Sequence, residues 1–237
     1  MSYKLIAINS DAKTKKSNAA SDEFVTAIMY MRPDDIICAM AETAQCKAPC
    51  LNTSGRGGMN SVQSARQRKT DLYHADPVAF VDMLAADITV ALRRAKKNGK
   101  RLAMRLNGTS DIPWENKRGS NGMTLMEMFP EVQFYDYTKL PGRKVPANYH
   151  LTVSYSGANE KYADKVRKTH HNVAVVFRSA ETMPEYYMGR RVINGDETDM
   201  RFTDPAGVVV GLYAKGKAKK DTSGFVVDVT ADTIAVM

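Results

Sequence analysis

Cysteine is scarce in this 237-residue chain and confined to one place. Cys38, Cys46 and Cys50, spaced C-x7-C-x3-C, share a 13-residue window, and the other 224 residues carry none. An odd number of cysteines cannot close into disulfides without leaving a free thiol, and no secretory signal is visible at the N-terminus. A disulfide-stapled secreted scaffold is therefore not expected, and a reducing cytoplasm is. Long apolar runs are lacking too: none approaches the roughly 20 residues that span a bilayer, so no membrane role is expected. The nucleophile motif G-x-S-x-G and the nucleotide loop G-x-x-x-x-G-K-[ST] are missing, which argues against triad hydrolysis and a P-loop. His74, His150, His170 and His171 show no paired metal-ligand spacing such as H-x3-H, although one of them remains available as a lone fourth ligand.

What is present sets the scale. With 43% hydrophobic content the chain can bury a sizeable core, and residues 1–237 read as a single α/β domain. The formal charge of +8 and a pI near 9.3 suit an anionic partner such as nucleic acid, or else a solvated basic surface. Within residues 1–20, Tyr3 to Ile8 predict an edge strand, and the polar stretch after it a mobile loop. Phe24 to Met31 and Ile36 to Met40 are apolar, interrupted by the turn Arg32-Pro33-Asp34-Asp35, and the second run delivers Cys38. Asn60 or Ser61 caps a helix reaching about His74. A longer helix starts at Asp76-Pro77, with Phe80, Val81, Leu84, Ile88, Ala91, Leu92 and Ala95 at helical spacing and Gly99 at its C-terminal cap. Arg93, Arg94, Lys96 and Lys97 in its last turns complement the helix dipole.

Beyond Gly99 the period shifts to strand-like runs: Leu102–Leu106, Val132–Tyr137, Tyr149–Tyr155, Val173–Phe177, Arg191–Ile193 and Val208–Tyr213, with helical stretches at Met123–Phe129 and Asn159–His170. Alternating strands and helices predict a parallel sheet, curled by right-handed crossovers into a partial or full (β/α) barrel. Sites in such folds form at the C-terminal ends of strands. There the sequence offers Asn107, Thr109, Asp111, Asp136, Thr138, Ser154 and Ser156, expected to share a rim with the cysteines and to bind a small ligand's amino, carboxylate or hydroxyl groups. Asn107 to Asp111 also read as a simple capping turn. The glycine-rich Gly55-Arg56-Gly57-Gly58 reads either as a turn or as an anion cradle, and Asn194 to Asp199 as a solvated turn or a metal loop. Three thiolates bind zinc if a histidine or carboxylate completes the tetrahedron, or three irons of a 4Fe-4S cluster with the fourth iron open.

The segment from Cys38 to Gly58 and the run Arg105-Leu106-Asn107-Gly108-Thr109-Ser110-Asp111-Ile112-Pro113-Trp114-Glu115 resemble a bacteriophage protein family close to those named after gene product 88. So do Tyr135 to Lys139 and Asp204 to Val227. The resemblance covers most of the chain after residue 36 and implies a host-cell cytoplasmic location. More distantly, cysteines after a first strand and a glycine-containing polar motif after the second resemble the radical S-adenosylmethionine barrel. That likeness implies a 4Fe-4S cluster on Cys38, Cys46 and Cys50 with S-adenosylmethionine at its open iron. The chain departs from that superfamily in its spacing, C-x7-C-x3-C in place of C-x3-C-x2-C, and in Asn107-Gly108-Thr109 where a Gly-Gly-Glu-like motif belongs. Three readings follow: a cluster protein on a radical-enzyme-like barrel, a basic zinc or iron-sulfur module binding nucleic acid, and a structural zinc protein.

Overall fold

A computed structural model describes residues 4–9 and 12–229. β-Branched and aromatic residues dominate its strands, and these join in one ten-stranded sheet. β2 (Phe24–Met29), β3 (Arg101–Arg105), β4 (Gln133–Thr138), β5 (Tyr149–Ser154) and β6 (Asn172–Phe177) lie side by side in sequence order, all parallel. β9 (Val209–Tyr213) continues the parallel run beyond β6, and β8 (Arg190–Asn194) beyond β9. β1 (Ile6–Ile8) closes one edge antiparallel to β2, β7 (Tyr186–Tyr187) pairs antiparallel with β8 at the other, and β10 (Val226–Val227) pairs with β6.

This is a mixed α/β architecture whose sheet is open, so the full barrel does not form among the described residues. The physical reason lies at the edges. Each outer parallel strand is taken up by an antiparallel neighbour, β1 on β2 and β7 on β8, so the two ends of the sheet never pair with each other. The strict strand and helix alternation is also interrupted. α4 (Leu125–Met128) and α5 (Glu160–Arg167) serve the crossovers into β4 and β6, but β4 reaches β5 without a helix.

Alternation along the strands sorts the two faces. Leu102, Met104, Phe134 and Leu151 pack against α3 (Pro77–Lys97) through Phe80, Val81, Leu84 and Ile88. α3 begins where its sequence says: the Asp76 carboxylate accepts from Val78 N (3.0 Å) and Ala79 N (2.9 Å), and Pro77 occupies the first turn. α2 (Asn60–Ala75) packs beside it. The opposite face carries Phe24, Ala103 and Tyr135, covered by Met200 and Phe202 from the segment between β8 and β9.

Two local expectations change. The polar stretch after β1 is a helix, α1 (Ala12–Ala19), rather than a mobile loop; Asn18 Oδ1 accepts from Thr26 N at 2.6 Å and Thr26 Oγ1 at 2.8 Å. Tyr3, Ser10 and Asp11 lie outside the described residues. The strand before the cysteines ends at Met29, and residues 35–45 form successive turns instead of a second apolar strand, with Ile36 74% exposed.

Candidate functional site

Asp34 starts the cysteine loop. Its carboxylate accepts from Ile36 N (2.9 Å) and Ile37 N (3.0 Å) and contacts His74 Nε2 at 2.7 Å, which turns the chain immediately before Cys38. Backbone bonds from Ala41 N to Cys38 O (2.9 Å) and Cys46 N to Ala41 O (3.0 Å) coil the loop, and Ser156 Oγ holds it by donating to Ala44 O at 2.8 Å. Asp111 N donates to Ile37 O at 2.7 Å and Thr109 Oγ1 to Met31 O at 2.5 Å, so the loop after β3 is tied to the same chain.

Cys38, Cys46 and Cys50 all line one cavity of about 160 Å³ at the C-terminal ends of β3, β4 and β5. Of the polar residues expected on that rim, Asn107, Thr109, Asp111, Thr138 and Ser154 line it with them. Asp136 and Ser156 do not. Asp136 is fully buried behind the rim, accepting from Asn107 N (2.7 Å), Asn107 Nδ2 (3.2 Å) and Tyr149 OH (2.7 Å). Asn107 is itself a hub, its Oδ1 accepting from Ser110 Oγ, Ile112 N and Trp114 Nε1. The Asp111 carboxylate accepts from Thr138 Oγ1 and Lys139 N, both at 2.7 Å, and lies 3.6 Å from Arg143. Much of the rim's polarity is thus spent on shaping the loops.

Three further residues line the cavity, two of them, Tyr137 and Lys139, at the end of β4 and one, Arg105, at the end of β3. Lys139, one position past β4, turns its ammonium inward, donates to Ser154 Oγ at 2.9 Å and lies 4.9 Å from the Phe225 ring centre. Arg105 and Tyr137 form the floor, the guanidinium 4.7 Å from the Tyr137 ring and paired with Asp199 at 3.0 Å. The signal for Lys139 was its place in Thr138-Lys139 directly after an apolar strand. Asp199, 94 positions from Arg105, leaves no such local trace.

The electrostatics follow from burial. Burial, then Asp111 and the other two cysteines, push the Cys38 thiol up to about 12. Burial also raises Cys46, with the Lys139 ammonium opposing it. Lys139 is lowered by burial and supported by Cys46 and Asp111. The Cys50 sulfur accepts from Asn52 N at 3.4 Å. Sulfur is the donor type that zinc and iron-sulfur groups take. Among the described residues no three of His, Cys, Asp and Glu stand at metal-ligating distances, and no histidine lines the cavity. No described helix is long and apolar enough to cross a membrane.

No curated protein and no solved structure matches the chain. The family model described as gene product 88 matches residues 4–229, which takes in the cysteine loop, every strand and the whole cavity, and the chain belongs to the gene product 88 family.

Proposed function

We propose that Cys38, Cys46 and Cys50 hold a 4Fe-4S cluster, and that the rest of the cavity receives a small polar ligand beside it. The observation that carries this reading is that the chain's three cysteines, and no histidine, line a single cavity shared with the ends of three parallel strands. An iron-sulfur cluster would supply one-electron chemistry at this position. Around it, Asn52 N–H steadies the Cys50 sulfur, the Lys139 ammonium offsets the negative charge gathered by three thiolates, and Ser156 fixes the loop that carries Cys46. Thr109, Ser154 and Lys139 offer the hydroxyl and ammonium contacts for a ligand carboxylate or hydroxyl.

Six strands paired in parallel, β2 to β6 and β9 in that order, also support a partial barrel related to radical S-adenosylmethionine enzymes. S-adenosylmethionine, with an amino group, a carboxylate and ribose hydroxyls, is the first ligand to try. Anaerobic purification with iron and sulfide analysis tests the cluster. Wild-type protein is expected brown with broad visible absorbance, and Cys38→Ser, Cys46→Ser or Cys50→Ser to lose most of that absorbance. Stoichiometric zinc without iron would sink the proposal in favour of a structural zinc site. Adding S-adenosylmethionine to the reduced cluster should alter its electron paramagnetic resonance signal; an unchanged signal removes that ligand while leaving the cluster.

A further inference from the structure

Two basic segments 160 residues apart in the chain meet beside the cysteine site. The first follows Cys50: the short 3-10 turns Leu51–Thr53 and Gly55–Gly58, which present Arg56 to solvent. The second is the 3-10 turn Gly216–Lys220, which packs on the first, Gly216 lying directly against Ser54. Ala218, 2% exposed, pins this second turn, so that Lys217, Lys219 and Lys220 project outward. Arg178, at the end of β6, holds it rigid by donating to the carbonyls of Lys219 (3.0 Å) and Asp221 (2.8 Å) while paired with Asp228 at 2.7 Å. Arg56, Lys217, Lys219 and Lys220 form no ion pair with a described carboxylate, whereas neighbouring Lys215 is committed to Asp196.

Cations alone suit any polyanion. Exposed apolar residues lie in or next to the same two segments: Leu51 is 49% exposed, Met59 54% and Tyr213 37%, with Lys215 Nζ 4.3 Å from the Tyr213 ring centre. A partner that alternates anionic groups with flat apolar ones matches this surface, and a single-stranded nucleic acid is such a partner; a duplex hides its base faces. We infer that Arg56, Lys217, Lys219 and Lys220 bind the phosphates of a single-stranded nucleic acid, with Tyr213 stacking on a base. The inference stands apart from the cluster and does not depend on it.

The test is fluorescence anisotropy of the full chain with a labelled oligothymidine of about 20 nucleotides, titrated between about 50 and 200 mM salt. Reversing the four cations together (R56E/K217E/K219E/K220E) is expected to weaken binding at least tenfold and to reduce the salt slope by about 3, at roughly 0.7 per phosphate on a single strand. Tyr213→Ala should weaken it roughly tenfold with the slope kept. R93E/R94E, at the exposed end of α3, is the control and should leave the slope unchanged; matching thermal unfolding shows that each variant is folded. Absence of binding, equal loss from the control, survival of binding in the fourfold variant, or tighter binding to a duplex or to phosphatidylserine vesicles each overturns the assignment.

Discussion

Asp136 shows how little a buried polar residue at a strand end says about ligands until its partners are known. Three donors converge on its carboxylate, yet no cation touches it, and burial lifts its pKa to about 7 despite the Tyr149 hydroxyl and the Asn107 N–H. Because that lies above the ordinary value of 3.8, the folded state holds the proton more tightly than the unfolded chain does. The resulting stability is complete below about pH 4 and is lost as the pH rises through about 7. Its size is at most about 4 kcal/mol, at about 1.4 kcal/mol per unit. Urea unfolding between about pH 4 and 7 should therefore show a shallower pH slope in Asp136→Asn than in wild type. An identical slope would mean that Asp136 is ionised throughout. Asp136 and Ser156 are supports of the candidate site, and Lys139 lines it as a cation beside Arg105.

Among the elements, the loop after β3 is closely constrained by backbone. Gly108 N donates to Met29 O at 2.9 Å, and a Cβ at Gly108 would meet that oxygen at 2.5 Å and the Tyr30 ring at 2.6 Å. The loop crosses directly under the end of β2, which is what brings Thr109 and Asp111 to the cysteines. Gly99 contrasts with it. It ends α3 at φ +67° with open space around it, so its need is conformational only. Gly99→Ala should cost about 1 kcal/mol and Gly108→Ala about 3 kcal/mol. At about 3 °C per kcal/mol for a chain of this length, thermal unfolding resolves the two. A larger loss at Gly99 would mean that the crossing has room to move.

For the whole molecule, the Arg105–Asp199 pair ties the segment between β8 and β9 to the C-terminal end of β3. Arg105 Nη1 lies 3.1 and 3.0 Å from the two Asp199 oxygens, both side chains are buried, and Asp199 N donates to Ser17 Oγ of α1 at 3.0 Å. Three distant parts of the chain thus meet at one ion pair. Asp199→Ala leaves a buried guanidinium unpaired and should cost about 3 to 5 kcal/mol, whereas R105M/D199L, which removes both charges, should recover most of it. Thermal unfolding of the single and double variants decides this; a double variant no better than the single one would show that packing, not the charge, is at stake.

The sequence by itself determined the two long helices, the central strands and the clustering of the thiols. α2, α3 and the central strands were legible because their apolar periods, the Asp76 cap and Gly99 act over a few residues, although Met59, not Asn60 or Ser61, caps α2 and makes no side-chain cap bond; the three cysteines are neighbours in the chain. α1 was not legible, since Lys, Thr, Ser and Asn give it no apolar stripe and its hold comes from Thr26 and Asp199. Asp199 read as part of a solvated acidic turn, because its partner Arg105 lies far away in sequence. Tertiary structure alone decided that the sheet stays open, that Lys139 faces the cysteines, and that Arg56 and the Lys217–Lys220 turn share one surface. Edge pairing, burial of a charge and the meeting of distant turns are set by contacts between residues tens to hundreds of positions apart, which no local pattern encodes.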